Sequence, residues 1–121
     1  MNKNNLYLVV AIILSVIVVV TAVLYKNNEV EGSEVTDEFV ACLNKNEVVM
    51  YGAYWCPHCD NQKKLFRDKW ENVSYVECTE DPNLCIEKEI KGYPTWIIGD
   101  NKYLVGVQSM ESLAQATGCE M

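Results

Sequence analysis

Two patterns of apolar and polar positions divide the chain. From Leu6 to Tyr25 (LYLVVAIILSVIVVVTAVLY) the sequence runs without a charge, and beyond Lys26 apolar residues come only in short stretches between polar ones. At about 1.5 Å of rise per residue, a helix over 6–25 crosses a hydrocarbon core of about 30 Å. Its β-branched residues are poor helix formers in water, but lipid forces the backbone to pair within the segment. Tyr7 and Tyr25 stand near its ends, where interfacial aromatics are common. The expectation is a retained transmembrane signal anchor at 6–25 behind a short flank at 1–5. A cleaved signal peptide ending near Val20-Thr21-Ala22 is the alternative, although the run exceeds the usual signal core of about 7–15 residues. A buried segment of a soluble domain is the third reading.

Residues 26–36 are polar and acidic and read as a linker, leaving one small domain over 37–121. Asp37 to Leu43 predicts a short helix capped by Thr36 or Asp37. Glu47 to Ala53 predicts a buried strand that runs into Trp55-Cys56-Pro57-His58-Cys59. Pro57 suits a first helical turn, and the helix it opens is expected to reach about Trp70 with Leu65 and Phe66 turned inward. Val73 to Cys78 alternates as a second strand. Asp81-Pro82-Asn83 signals a turn and a helix start, with a short helix over Leu84 to Ile90 that Gly92-Tyr93-Pro94 breaks. Thr95 to Ile98 and Lys102 to Val107 read as a hairpin around Gly99-Asp100-Asn101. Ser109 caps a last helix that runs to Thr117 and stops at Gly118. This order predicts an α/β fold with a small mixed sheet flanked by helices.

The net charge of -7 argues against nucleic acid and against peripheral binding to anionic lipid. Six cysteines with a single histidine, His58, point first to disulfides, since one imidazole cannot complete a zinc site of two cysteines and two histidines. Lys3 and Lys26 balance across the apolar run, so charge does not orient it. The cysteines do, placing the domain on the oxidising, extracytoplasmic side.

Cys56 at a helix start is expected to be the nucleophile, because unpaired N–H groups and the helix dipole there favour its thiolate. Cys59 lies one turn on, on the same face, and is expected to resolve a mixed disulfide formed at Cys56. His58 is expected to stabilise the thiolate further, which makes the pair more oxidising. A zinc half-site or a passive disulfide is the alternative, and no second Cys-x-x-Cys exists to complete a four-cysteine site. Trp55, beside the first cysteine, is expected at the substrate surface. Trp70, Tyr75, Trp96 and Tyr103 read as core or partly buried packing.

A strand entering Trp-Cys-x-x-Cys with Gly92-Tyr93-Pro94-Thr95 farther on resembles the thioredoxin superfamily. The resemblance implies that Pro94 is a cis-proline beside the dithiol and that Tyr93, with Thr95, meets an extended substrate. Tyr51 to Cys59, Glu77-Cys78, Cys85, Gly92 to Trp96 and Gly106 to Ser109 together look like the thioredoxin-like domain associated with bacterial vitamin K epoxide reductase homologues, in a DsbA-like role. That likeness covers Asp37 to Cys119. It implies exchange with exported cysteine-containing proteins and reoxidation by a vitamin K epoxide reductase-like or DsbB-like, quinone-linked membrane oxidase. No cofactor beyond the redox-active Cys56–Cys59 pair is expected, no metal, and a monomer. Two departures stand out: the buried acid that thioredoxins carry six residues before the first active cysteine is Met50 here, and their first strand has no counterpart.

Cys78 and Cys85 flank a turn, where a structural disulfide closes a small loop; a second redox pair relaying electrons is the alternative. Cys42 and Cys119, near the ends of the first and last domain helices, pair plausibly in a thioredoxin-like topology, though six cysteines allow many connectivities. Three functions compete. The first is an oxidase or isomerase of disulfides in exported proteins, the second a membrane-tethered reductase. The third is a non-catalytic binding or metallochaperone domain that keeps the fold.

Overall fold

The computed structural model describes residues 2–27 and 34–121, as two units that are treated separately below. The first is helix α1 (Lys3–Asn27), whose stretch Lys3–Leu24 is long and apolar enough to cross a membrane. The hydroxyls of Ser15 and Thr21 donate to the carbonyls of Ile12 and Val18, so these polar groups are satisfied inside the helix, as a lipid environment requires. Of the expected linker, residues 28–33 lie outside the described residues.

The second unit opens with α2 (Asp37–Lys45). Thr36 caps it, its hydroxyl accepting the N–H of Phe39 at 3.0 Å, and Asp37 and Glu38 in the first turn favour the positive end of the dipole. Phe39, Val40 and Leu43 form its buried face. The chain then alternates through β1 (Val48–Gly52), α3 (Pro57–Phe66), β2 (Tyr75–Glu77), α4 (Pro82–Glu87), β3 (Thr95–Ile98), β4 (Lys102–Val105) and α5 (Met110–Thr117). The sheet order is β2-β1-β3-β4. β1 and β2 are parallel, as the α3 crossover allows, and the other pairs are antiparallel. This is the small mixed sheet flanked by helices that the pattern implies.

The central strand β1 is buried on both faces. Met50 on one face packs with Phe39, Leu43, Phe66, Trp96 and Leu113; Tyr51 on the other packs with Ile97, Cys78 and Cys85. The alternation follows from the two-residue period of a strand. Two disulfides tie the unit. Cys42 of α2 joins Cys119 beyond α5, with Cα atoms 5.8 Å apart, and Cys78 joins Cys85 of α4 at 5.7 Å.

Four details depart from the sequence expectation. The helix from Pro57 ends at Phe66, where Arg67 takes a φ of 53°, and a 3₁₀ turn covers Arg67–Asn72. Leu65 is exposed while Phe66 is fully buried. Neighbours on a helix diverge by about 100°, so only one of them can share the inward stripe of Cys59 and Gln62. The helix signalled at Asp81-Pro82-Asn83 begins at Pro82, where Asp81 caps it by accepting the N–H of Leu84, but it ends at Glu87 rather than at Ile90. The fourth strand stops at Val105, where Gly106 turns the chain at a φ of 89°, and Tyr103 on this edge strand is exposed rather than packed.

Candidate active site

The site forms where β1 ends and α3 begins. After Ala53 the chain turns, the N–H of Cys56 donating to the Ala53 carbonyl at 3.1 Å. Cys56 is the N-cap of α3 and Pro57 its first residue. The sulfur of Cys56 accepts the N–H of Cys59 at 3.1 Å, the role a capping side chain plays at this position. The thiol of Cys59 donates to the same sulfur at 2.6 Å, so the two atoms stand within bonding reach. Both cysteines are buried and free, while the other four are in disulfides. Burial pushes the Cys59 thiol up to about 12, and its hydrogen bond to Cys56 adds to this; the Ala53 backbone and the Lys63 charge oppose it. Cys59 is therefore a protonated thiol at neutral pH, partnered by the more peripheral Cys56.

Beside Cys56 opens a cleft of about 380 Å³, lined by Trp55, His58, Ile90, Gly92 and Tyr93. Trp55 is exposed and meets Tyr93 edge-on at 5.9 Å between ring centres. His58 is exposed at the same mouth. The Tyr93–Pro94 peptide bond is cis, and Pro94 is buried. Thr95 does not join this cleft through its side chain, in contrast to the substrate-binding expectation. It is buried, and its hydroxyl donates to the Gly92 carbonyl at 2.7 Å, bracing the turn that presents Tyr93.

Five residues that the sequence reading did not single out as site residues lie on the elements that carry and flank the dithiol, α3, β1 and β2. Gln62, one turn beyond Cys59, is fully buried. Its Oε1 accepts the Trp96 indole N–H at 3.2 Å and the Gln108 N–H at 2.6 Å, and its Nε2 donates to the Gln108 carbonyl at 3.0 Å. This lock holds α3 to β3 and to the segment before α5. A buried polar side chain on the inward stripe of a helix was its available signal. Gly52 allows close approach: a Cβ there would lie 2.9 Å from the Cys59 sulfur, 3.1 Å from the Tyr75 ring and 3.3 Å from the Tyr75 hydroxyl oxygen. Tyr75 donates to a Glu77 carboxylate oxygen at 2.7 Å. Lys63 extends over the Tyr75 ring, 4.3 Å from its centre.

Burial raises the Tyr75 phenol well above its ordinary value, and the Glu77 carboxylate raises it further. For Glu77, burial acts upward. The hydrogen bonds it accepts from Tyr75, Thr79 and the Tyr54 backbone win and hold it below the usual carboxylate range.

A thioredoxin family model matches residues 23–117. Over 85 residues the chain is 41% identical to thiol-disulfide oxidoreductase LTO1 of Arabidopsis thaliana, which covers 63% of this chain and 22% of that protein. It is 36% identical over 62 residues to a thioredoxin domain-containing protein 5 homolog of Drosophila melanogaster, covering 43% of this chain and 15% of that one. The chain thus spans less than a quarter of these two relatives. Mitochondrial thioredoxin 3 from Saccharomyces cerevisiae is a structural neighbour at 21% identity, with a TM-score of 0.47 over 67% of this chain and 86% of that one.

Proposed function

The chain belongs to the thioredoxin family, and from that premise we propose that it is a membrane-anchored thiol–disulfide oxidoreductase that works through Cys56 and Cys59. The domain is of the thioredoxin and protein disulfide-isomerase type. The observation that carries the reading is the contrast among the cysteines: four are cross-linked, and the remaining two sit sulfur to sulfur at the start of α3.

Cys56 is the nucleophile. Its sulfur already accepts a helix N–H, and negative charge there faces the positive end of the helix dipole. Attack on a substrate disulfide forms a mixed disulfide at Cys56 and releases one substrate thiolate. Cys59 then attacks the Cys56 sulfur, closing the Cys56–Cys59 disulfide and releasing the second thiolate. The steps run in reverse when the pair oxidises a substrate dithiol. Pro57 starts the helix that positions Cys56, and His58 at the cleft mouth stabilises the thiolate. An extended segment of an exported, cysteine-containing protein occupies the cleft that Trp55 and Tyr93 line, against the backbone before Pro94. Cys42–Cys119 and Cys78–Cys85 are structural cross-links.

The helix α1 supports anchoring by its length and composition, and the two disulfides favour an oxidising, extracytoplasmic setting. A vitamin K epoxide reductase-like or DsbB-like membrane oxidase, linked to quinone, reoxidises the pair in this reading. The test is equilibration of the full chain in glutathione buffers, with the redox state of Cys56 and Cys59 read by alkylation and mass spectrometry. A potential between about −180 and −120 mV, the range of isomerases and strong oxidases, supports the oxidising role. A value near the roughly −270 mV of thioredoxin makes the protein a tethered reductase and removes the role given to His58.

A further inference from the structure

Cys59 is almost fully buried, yet its thiol has to lose a proton each time it closes the disulfide and regain one each time the disulfide opens. Neighbouring side chains decide how the proton travels. Met50, fully buried on the face of β1 toward this site, carries no acceptor. The parallel pairing of β1 with β2 sets Tyr75 opposite Met50 and Glu77 opposite Gly52. Residues two apart share a face of a strand, so Tyr75 and Glu77 stand together. The missing Cβ of Gly52 leaves the Cys59 sulfur and the Tyr75 hydroxyl oxygen both within 3.3 Å of one point. The hydroxyl hydrogen is already committed to Glu77 at 2.7 Å, which leaves the oxygen free to accept. Glu77 is only half-buried and reaches solvent, while Thr79 donates to its other oxygen through both hydroxyl and N–H.

We propose that Tyr75 and Glu77 form the proton path of Cys59, taking over on β2 a task for which β1 offers no acid. The inference rests on the dithiol reading above. In the resolving step the Cys59 S–H bond breaks as the Cys56–Cys59 bond forms. The bond from Cys56 to the substrate sulfur breaks, and that sulfur leaves with the electron pair as a thiolate. The two cysteines are oxidised and the substrate disulfide is reduced. With Cys56 tied up in the mixed disulfide, the Cys59 S–H turns from the Cys56 sulfur to the Tyr75 oxygen, and its proton moves there while Tyr75 passes its own to Glu77, which hands it to water. When a substrate thiolate opens the disulfide, the same path runs backwards. A carboxylate is a far stronger base than water, so the path matters even though Glu77 is held below the usual carboxylate range. The charged and titratable groups around the path are Lys63 over the Tyr75 ring and Cys56 beside Cys59; Trp70, edge-on to Tyr75 at 5.5 Å, carries no charge.

The test follows the two steps separately. Full-length chain in non-ionic detergent, reduced only at Cys56 and Cys59, is mixed with 5,5′-dithiobis(2-nitrobenzoate). Attack by Cys56 releases one coloured thiolate and attack by Cys59 a second. In Tyr75→Phe and in Glu77→Gln the second release should slow by about 100-fold at pH 7, the lower end of proton-transfer assistance, while the first stays unchanged. The gap to the wild type should close as pH rises and hydroxide takes the proton directly, a response that mere loss of packing would not produce. A second release within about threefold of wild type in both variants overturns the path. So does equal slowing of both releases with no change in the pH profile. If the wild type itself releases only one equivalent, the dithiol reading fails as well, and that failure is visible before any variant is made.

Discussion

Replacing Gln62 with methionine removes three hydrogen bonds at nearly constant volume. The loss can be worked from the partners. The Trp96 indole N–H is fully buried and has Gln62 as its acceptor; leaving it unpaired costs about 1–3 kcal/mol. The N–H and carbonyl of Gln108 are half-buried and can turn to water, so each loses about 0.5–1 kcal/mol. Better burial of the methionine recovers part of this, and the expected net loss is about 2–4 kcal/mol. Urea unfolding followed by far-ultraviolet circular dichroism, with both disulfides intact, measures it as a lower midpoint at constant slope. Trp96→Phe removes the indole donor independently. The double variant should be more stable than the sum of the single losses implies, by about 1 kcal/mol or more, because the unpaired N–H is gone. A loss below about 0.5 kcal/mol for Gln62→Met, or strict additivity with Trp96→Phe, would refute the lock.

Other outcomes follow from the same geometry. Removing Cys42–Cys119, which spans 77 residues, should cost about 4–5 kcal/mol in the chain-entropy picture, against about 2–3 for Cys78–Cys85, which spans 7; chemical unfolding of the two serine double variants ranks them. Gly52→Ala sets a methyl group 2.9 Å from the Cys59 sulfur, so rapid-mixing alkylation should show slower disulfide closure with attack by Cys56 less affected. Glu77 is depressed in the folded state, so its contribution is present above its ordinary value of 4.5 and is lost as pH falls through the folded value. The stability difference between wild type and Glu77→Gln should therefore shrink on acidification below that point, as acid titration of unfolding midpoints would show. Trp55→Ala should raise the KM for a cysteine-containing peptide more than it lowers kcat, since Trp55 lines the cleft without touching the sulfurs of either cysteine by hydrogen bond.

The architecture was legible because its signals are local. Strand periods, Pro57 and Pro82 at helix starts, Ser109 as a cap and Gly118 as a stop each act within a few residues. Where the expectation slipped, two local rules competed. Leu65 and Phe66 are equally apolar, and only the rotation of α3 relative to the sheet decides that Phe66 goes in. Tyr103 is apolar enough for a core, but its strand lies at the sheet edge. The surroundings of the dithiol were hidden for a deeper reason. Tyr75 comes near Cys59, and Glu77 near Tyr75, only through the parallel register of β1 with β2, and Gln62 acquires its partners only when β3 and the loop before α5 pack on α3. No periodicity within one segment encodes such pairings. Thr95 shows the converse: a motif neighbour of Pro94 whose side chain turns inward to brace a turn.

The central claim is that Cys56 attacks and Cys59 resolves, and trapping the intermediate tests it most directly. Full-length Cys59→Ser and Cys56→Ser chains, each incubated with an oxidised cysteine-containing protein, are quenched in acid and mapped by non-reducing mass spectrometry. The account predicts a stable mixed disulfide at Cys56 in the Cys59→Ser chain and almost none at Cys59 in the Cys56→Ser chain. Equal trapping on both cysteines, or none on either, would contradict it.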